Sequence, residues 1–141
     1  MTQSATVSTE LELRLVVPGG PSLPLLADLR YLADDPWAVR VAFRTGGEGD
    51  GVVEWMFARQ LLVDGLSHPT GDGDVRVWPS MSIRRRVVHL RMTSPSGSAV
   101  FEIERQDVLD FLSRTQVAVP QGTEESAVDL DAELAQLLRD R

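Results

Sequence analysis

A chain of 141 residues and 15.5 kDa fits one domain of ordinary size, and no apolar run reaches the ~20 residues that a membrane-spanning helix needs. With no cysteine there are no disulfides, thiolate metal sites or cysteine nucleophiles. The N-terminal stretch Met1-Thr2-Gln3-Ser4-Ala5-Thr6 lacks the positive and apolar regions of a signal peptide, so the expected location is cytoplasmic. The net charge of −7, from 21 acidic against 14 basic residues, argues against a nucleic-acid surface, which is normally basic.

From Val7 to Val17 the residues Val7, Thr9, Leu11, Leu13, Leu15 and Val17 alternate with Glu10, Glu12 and Arg14. That period of two predicts a strand with one buried face, ended by Pro18-Gly19-Gly20-Pro21. A second strand is expected from Leu25 to Leu32, turned by Ala33-Asp34-Asp35-Pro36. A third carries Val39, Val41 and Phe43 on one face. The glycine-rich stretch 45–51 reads as a hairpin loop, and the fourth strand sets Val53, Trp55 and Phe57 on one side.

Ala58, Leu61, Leu62 and Leu66 stand at helical spacing and predict a short helix containing Gly65. After the turn Thr70-Gly71-Asp72-Gly73-Asp74, a strand is expected over Val75-Arg76-Val77-Trp78, closed by Pro79. Segments 83–92 and 98–104 form a hairpin about Ser94-Pro95-Ser96-Gly97. Val108, Leu109, Phe111 and Leu112 mark a helix over 107–115. An irregular link holds Pro120 and Gly122. The chain closes on an amphipathic helix over 129–139 with Leu130, Leu134, Leu137 and Leu138 on one side, expected to dock on the sheet. Strands followed by helices, without strand–helix–strand alternation, indicate an α+β fold of antiparallel β-sheets with flanking helices. The expected organisation is one domain over 1–141, with its core from Leu11 to Leu138 and a short flexible N-terminus.

Catalytic chemistry finds little support. His68 precedes a proline and His89 sits mid-strand, neither beside a recognisable nucleophile or orienting carboxylate. Gly71-Asp72-Gly73-Asp74 lacks the ligand spacing of a calcium loop and the helix start of a phosphate loop, so it reads as an acidic turn. Catalytic, cofactor and metal residues are therefore none. Arg84-Arg85-Arg86 is the one basic cluster. Strand alternation places Arg84 and Arg86 on one face, with Arg85 and Arg91 on the other, which leaves single-stranded nucleic-acid binding as the alternative reading. Trp37 and Trp78 stand beside prolines at strand boundaries, where a tryptophan can anchor a partner.

Several phrases in sequence order carry a family resemblance: Leu29-Arg30-Tyr31, Asp35-Pro36-Trp37-Ala38-Val39, Val53-Glu54-Trp55-Met56-Phe57-Ala58-Arg59 and Pro69-Thr70-Gly71-Asp72-Gly73-Asp74-Val75-Arg76-Val77-Trp78-Pro79. Phe111-Leu112-Ser113-Arg114-Thr115, Val119-Pro120-Gln121-Gly122-Thr123-Glu124 and Asp129-Leu130-Asp131-Ala132-Glu133-Leu134 follow. Together they resemble the SsgA-like sporulation and cell-division proteins of spore-forming actinobacteria. Segments 46–51 and 83–86 depart most from that pattern. The resemblance implies a Whirly-like fold, a trimer, no enzymatic activity and no cofactor. It further implies a place at division septa, with an SsgA-like relative and the ring protein FtsZ as partners. The expected partner-binding residues are Trp37, Glu124, Asp129 and Asp131.

Overall fold

In the computed structural model the described residues are 6–44, 52–71, 73–82, 84–126 and 136–138. Among the described residues seven strands form one antiparallel sheet: β1 (Thr6–Leu15), β2 (Leu23–Leu32), β3 (Ala38–Arg44), β4 (Val52–Ala58), β5 (Val75–Ser82), β6 (Arg85–Ser94) and β7 (Gly97–Glu104). Their spatial order is β4-β3-β2-β1-β7-β6-β5, so β4 and β5 are the edges. Helix α1 (Arg59–Gly65) follows β4 directly, and α2 (Arg105–Ala118) follows β7. The α+β class and antiparallel sheet read from the sequence are those of the structure.

The alternation in the sequence becomes the inside of a curl. Val7, Leu11 and Leu13 of β1, Ala27, Leu29 and Tyr31 of β2, and Val39, Val41 and Phe43 of β3 are all buried on one face. β1 pairs with β2 along ten residues, Thr6 with Leu32 through Leu15 with Leu23. Against β7 it pairs only at Arg14–Glu102 and Leu15–Phe101. Beyond those pairs β1 and β7 splay apart, and α2 packs into the opening. Its buried residues Val108, Phe111, Leu112 and Thr115 recur at three, four and seven positions, the stripe of a helix lying on a core. Arg114 adds a hydrogen bond from its guanidinium to the Thr9 hydroxyl at 2.6 Å. The curl brings β3 and β7 face to face, and the rings of Phe43 and Phe101 stack 4.3 Å apart.

The structure departs from the expectations at β5, Arg84 and α2, and β2 begins two residues early, at Leu23. β5 continues through Pro79 to Ser82, because an edge strand has a side on which a missing N–H costs nothing. Arg84 lies in the two-residue connection between Ser82 and Arg85, at φ 64°, rather than on a strand face with Arg86. Two-residue hairpin turns call for positive φ, and here an arginine adopts it where glycine or asparagine is usual. Helix α2 runs from Arg105 to Ala118, longer than 107–115, and stops ahead of Pro120.

Of the expected terminal helix only 136–138 is described. It is helical, but Leu137 and Leu138 are exposed rather than packed on the sheet. The N-terminal residues 1–5, the glycine-rich loop 45–51, Asp72, Ile83, the whole of segment 127–135 with Asp129 and Asp131, and residues 139–141 lie outside the described residues.

Candidate interaction site

Helix α1 buries Arg59, Leu62 and Gly65, one residue every three positions, so an arginine stands on the apolar stripe. Arg59 is 3% exposed, and both terminal nitrogens of its guanidinium are hydrogen-bonded. One terminal nitrogen donates to the Val119 carbonyl at 2.8 Å and to the Thr115 carbonyl at 3.2 Å. The other donates to Glu124 Oε1 at 2.6 Å. The carbon at its centre lies 4.9 Å above the Tyr31 ring, a cation–π contact. Tyr31 in turn donates from its hydroxyl to the Pro36 carbonyl at 3.0 Å. Burial raises the Tyr31 hydroxyl above its usual range, against the nearby Arg59 charge, which acts to lower it.

Glu124 is the carboxylate partner of this centre, and it is 7% exposed. Burial pushes its carboxyl upward, but the Arg59 hydrogen bond and the Gly122 N–H outweigh that and hold it below the usual range. Expected on a partner surface, Glu124 turns its side chain inward and ties the segment after α2 to the start of α1. Its neighbour Glu125 is exposed on the same helical turn. Sequence reasoning missed Arg59. The available signal was a charge on a buried helical stripe, which demands a carboxylate and further hydrogen bonds.

Trp37 sits on the other side of this centre, in the connection between β2 and β3, and is 57% exposed. Its backbone carbonyl accepts the Arg59 N–H at 2.8 Å. The exposed indole and the buried arginine are thus held by one backbone bond. Trp55, on the inner face of β4, packs against the core, as its spacing with Val53 and Phe57 indicates.

The remaining candidates separate in space. On the outer face His89 pairs across the strands with Trp78, their rings 5.4 Å apart, and its Nε2 lies 3.5 Å from Glu102. Arg85 and Arg86 are both exposed but alternate between faces, so they build no flat basic surface. In the acidic turn, Thr70 exchanges backbone hydrogen bonds with Val77, which makes that turn a cover for the β5 edge. An apolar cleft of about 560 Å³ opens at the mouth of the curl, lined by residues including Leu15, Leu25, Phe43, Val53, Trp55 and Phe101.

Comparison with known proteins adds identity to this geometry. Residues 25–124 match the family model described as the Streptomyces sporulation and cell division protein SsgA. The chain is 55% identical to the sporulation-specific cell division protein SsgB of Frankia casuarinae, over 94% of this chain and 92% of that one. It is 52% identical to the SsgB of Streptomyces coelicolor, covering 96% and 97% of the two chains. A solved SsgA-like sporulation-specific cell division protein from Thermobifida fusca superposes with a TM-score of 0.86 at 42% identity, covering 96% of this chain and 98% of that one.

Proposed function

We propose a function for this chain from one premise: it belongs to the SsgA family of sporulation and cell-division proteins. Its role lies in cell division, and the family is not one of enzymes. In this reading the chain is a non-enzymatic adaptor of sporulation-specific division. Working in the cytoplasm at division septa with an SsgA-like relative, it helps to position septa and recruits the FtsZ ring. The near full-length match to proteins named for that process carries the reading.

The contact with partners runs through Trp37 and the acidic stretch that Glu124 anchors, including Asp129 and Asp131. An exposed tryptophan supplies a large, rigid apolar surface at small entropic cost, and acidic neighbours set specificity. As a homotrimer the protein would present three such contacts to a polymer, and effective concentration would turn weak single contacts into firm attachment. Co-sedimentation with FtsZ polymers tests this. Wild-type protein pelleting with the polymer, and Trp37→Ala protein staying in solution, is the expected result. Wild-type protein remaining in solution would overturn it.

A further inference from the structure

The two edges of the sheet are not equivalent. At the β5 edge, Thr70 N–H donates to the Val77 carbonyl at 2.8 Å, the Val77 N–H returns to Thr70 at 3.0 Å, and Pro79 has no N–H to offer. That edge is covered at Val77 by its own chain and blunted at Pro79. β4 has no such cover among the described residues.

Alternation in an antiparallel ladder says which β4 groups are free. The Arg59 N–H bonds to the Trp37 carbonyl, and Ala58 lies opposite Ala38. Every second pair from there is hydrogen-bonded: Phe57 with Val39, Trp55 with Val41, Val53 with Phe43. The intervening residues Val52, Glu54 and Met56 therefore turn their N–H and C=O groups away from β3, toward the open edge. Val52 and Met56 are 61% and 58% exposed, an unusual amount of apolar surface on an edge without lysine or proline to protect it.

The chemistry beside this edge selects its occupant. Free backbone groups in a row match another extended strand. On the inner side Val53 and Trp55 border the apolar cleft, which would receive alternate apolar side chains of that strand. On the outer side the exposed Glu54 has no ion-pair partner among the described residues, and Asp28 and Glu10 already share Arg44. A second copy of this chain fits poorly. β4 paired with β4 brings no base to Glu54, and the β5 edge is covered at Val77 and blunted at Pro79.

We infer that β4 is a docking edge for an extended segment of a different protein, apolar on its inward-facing alternate residues and carrying a lysine or arginine opposite Glu54. The inference deepens the reading of the chain as an interaction protein and rests on it. The test below needs no division protein, so its failure leaves FtsZ recruitment untouched.

The probe is a capped peptide, Val-Thr-Val-Lys-Val-Thr-Val, set against the same peptide with glutamate for lysine, titrated into labelled full-length protein and followed by amide NMR. The lysine peptide should bind about fivefold more tightly and shift the amides of β4 and the Trp55 indole. Glu54→Arg should reverse the preference. Met56→Pro removes an outward N–H without touching the ladder to β3 and should weaken binding about tenfold. Absence of binding, equal binding of both peptides, or an unchanged Met56→Pro titration would overturn the inference. Self-association of the wild type that Met56→Pro abolishes would overturn it in favour of a second copy.

Discussion

Arg59 and Glu124 stand 65 positions apart in the chain and meet in a buried ion pair 2.6 Å long. The contact joins the first residue of α1 to the turn beyond α2, across the Tyr31 ring. Removing one partner leaves the other as an uncompensated buried charge. Glu124→Ala should therefore cost about 3–5 kcal/mol, read as a lowered urea midpoint. The double variant Arg59→Met/Glu124→Leu, with no charge to bury, should recover most of that loss.

The same pair sets the response to acid. Burial raises the Glu124 carboxyl, but Arg59 and the Gly122 N–H hold it below its ordinary value of 4.5 in the folded state. A carboxyl depressed by folding contributes stability that is present above the unfolded value and lost as pH falls through the folded one. Stability should thus drop as pH is lowered below about 4.5, and Glu124→Gln should flatten that limb. Asp107 acts with the opposite sign. Burial, then Glu104 and Asp110, raise it above its ordinary 3.8, so Asp107→Asn should stabilise the protein at neutral pH. Urea midpoints measured across the acid range check both signs.

Gly65 ends the buried stripe of α1, where helix and sheet approach closely. A Cβ at that position would lie 2.6 Å from the Cβ of Val77 and strike its Cγ1. Val77 is fully buried and paired on both sides, so it cannot withdraw. Gly65→Ala should destabilise the fold by about 1–3 kcal/mol, and Gly65→Ala/Val77→Ala by less than the sum of the two single changes. Thermal unfolding of the three variants decides it.

Trp37 offers the opposite case. Its carbonyl serves the fold, and its side chain is mostly in solvent. Trp37→Ala should weaken FtsZ binding at least about tenfold while the melting temperature stays near that of the wild type. Equal loss of binding and stability would make the indole part of the core instead.

The fold was legible wherever one face is buried and the other wet. β1, β3 and β4 follow from alternation, and the Ser94–Gly97 hairpin from its turn residues. Pro79 obscured the second half of β5, since a proline argues against a strand until the strand is known to be an edge. Arg84 carried no turn signal because it takes a glycine-like conformation. The Arg59 centre was illegible for a different reason. Glu124 lies among acidic residues and reads as surface, and only the fold brings it beneath α1. Tyr31, Pro36 and Trp37 stood inside the family phrases, but their connection to Arg59 is a matter of register that no single phrase contains.

The most direct test of the central claim is the position of a functional fluorescent fusion in sporulating filaments, imaged beside a deletion strain. Regular ladders at future division sites are expected, with FtsZ ladders and spores lost on deletion. Diffuse fluorescence together with normal septation in the deletion strain would contradict it.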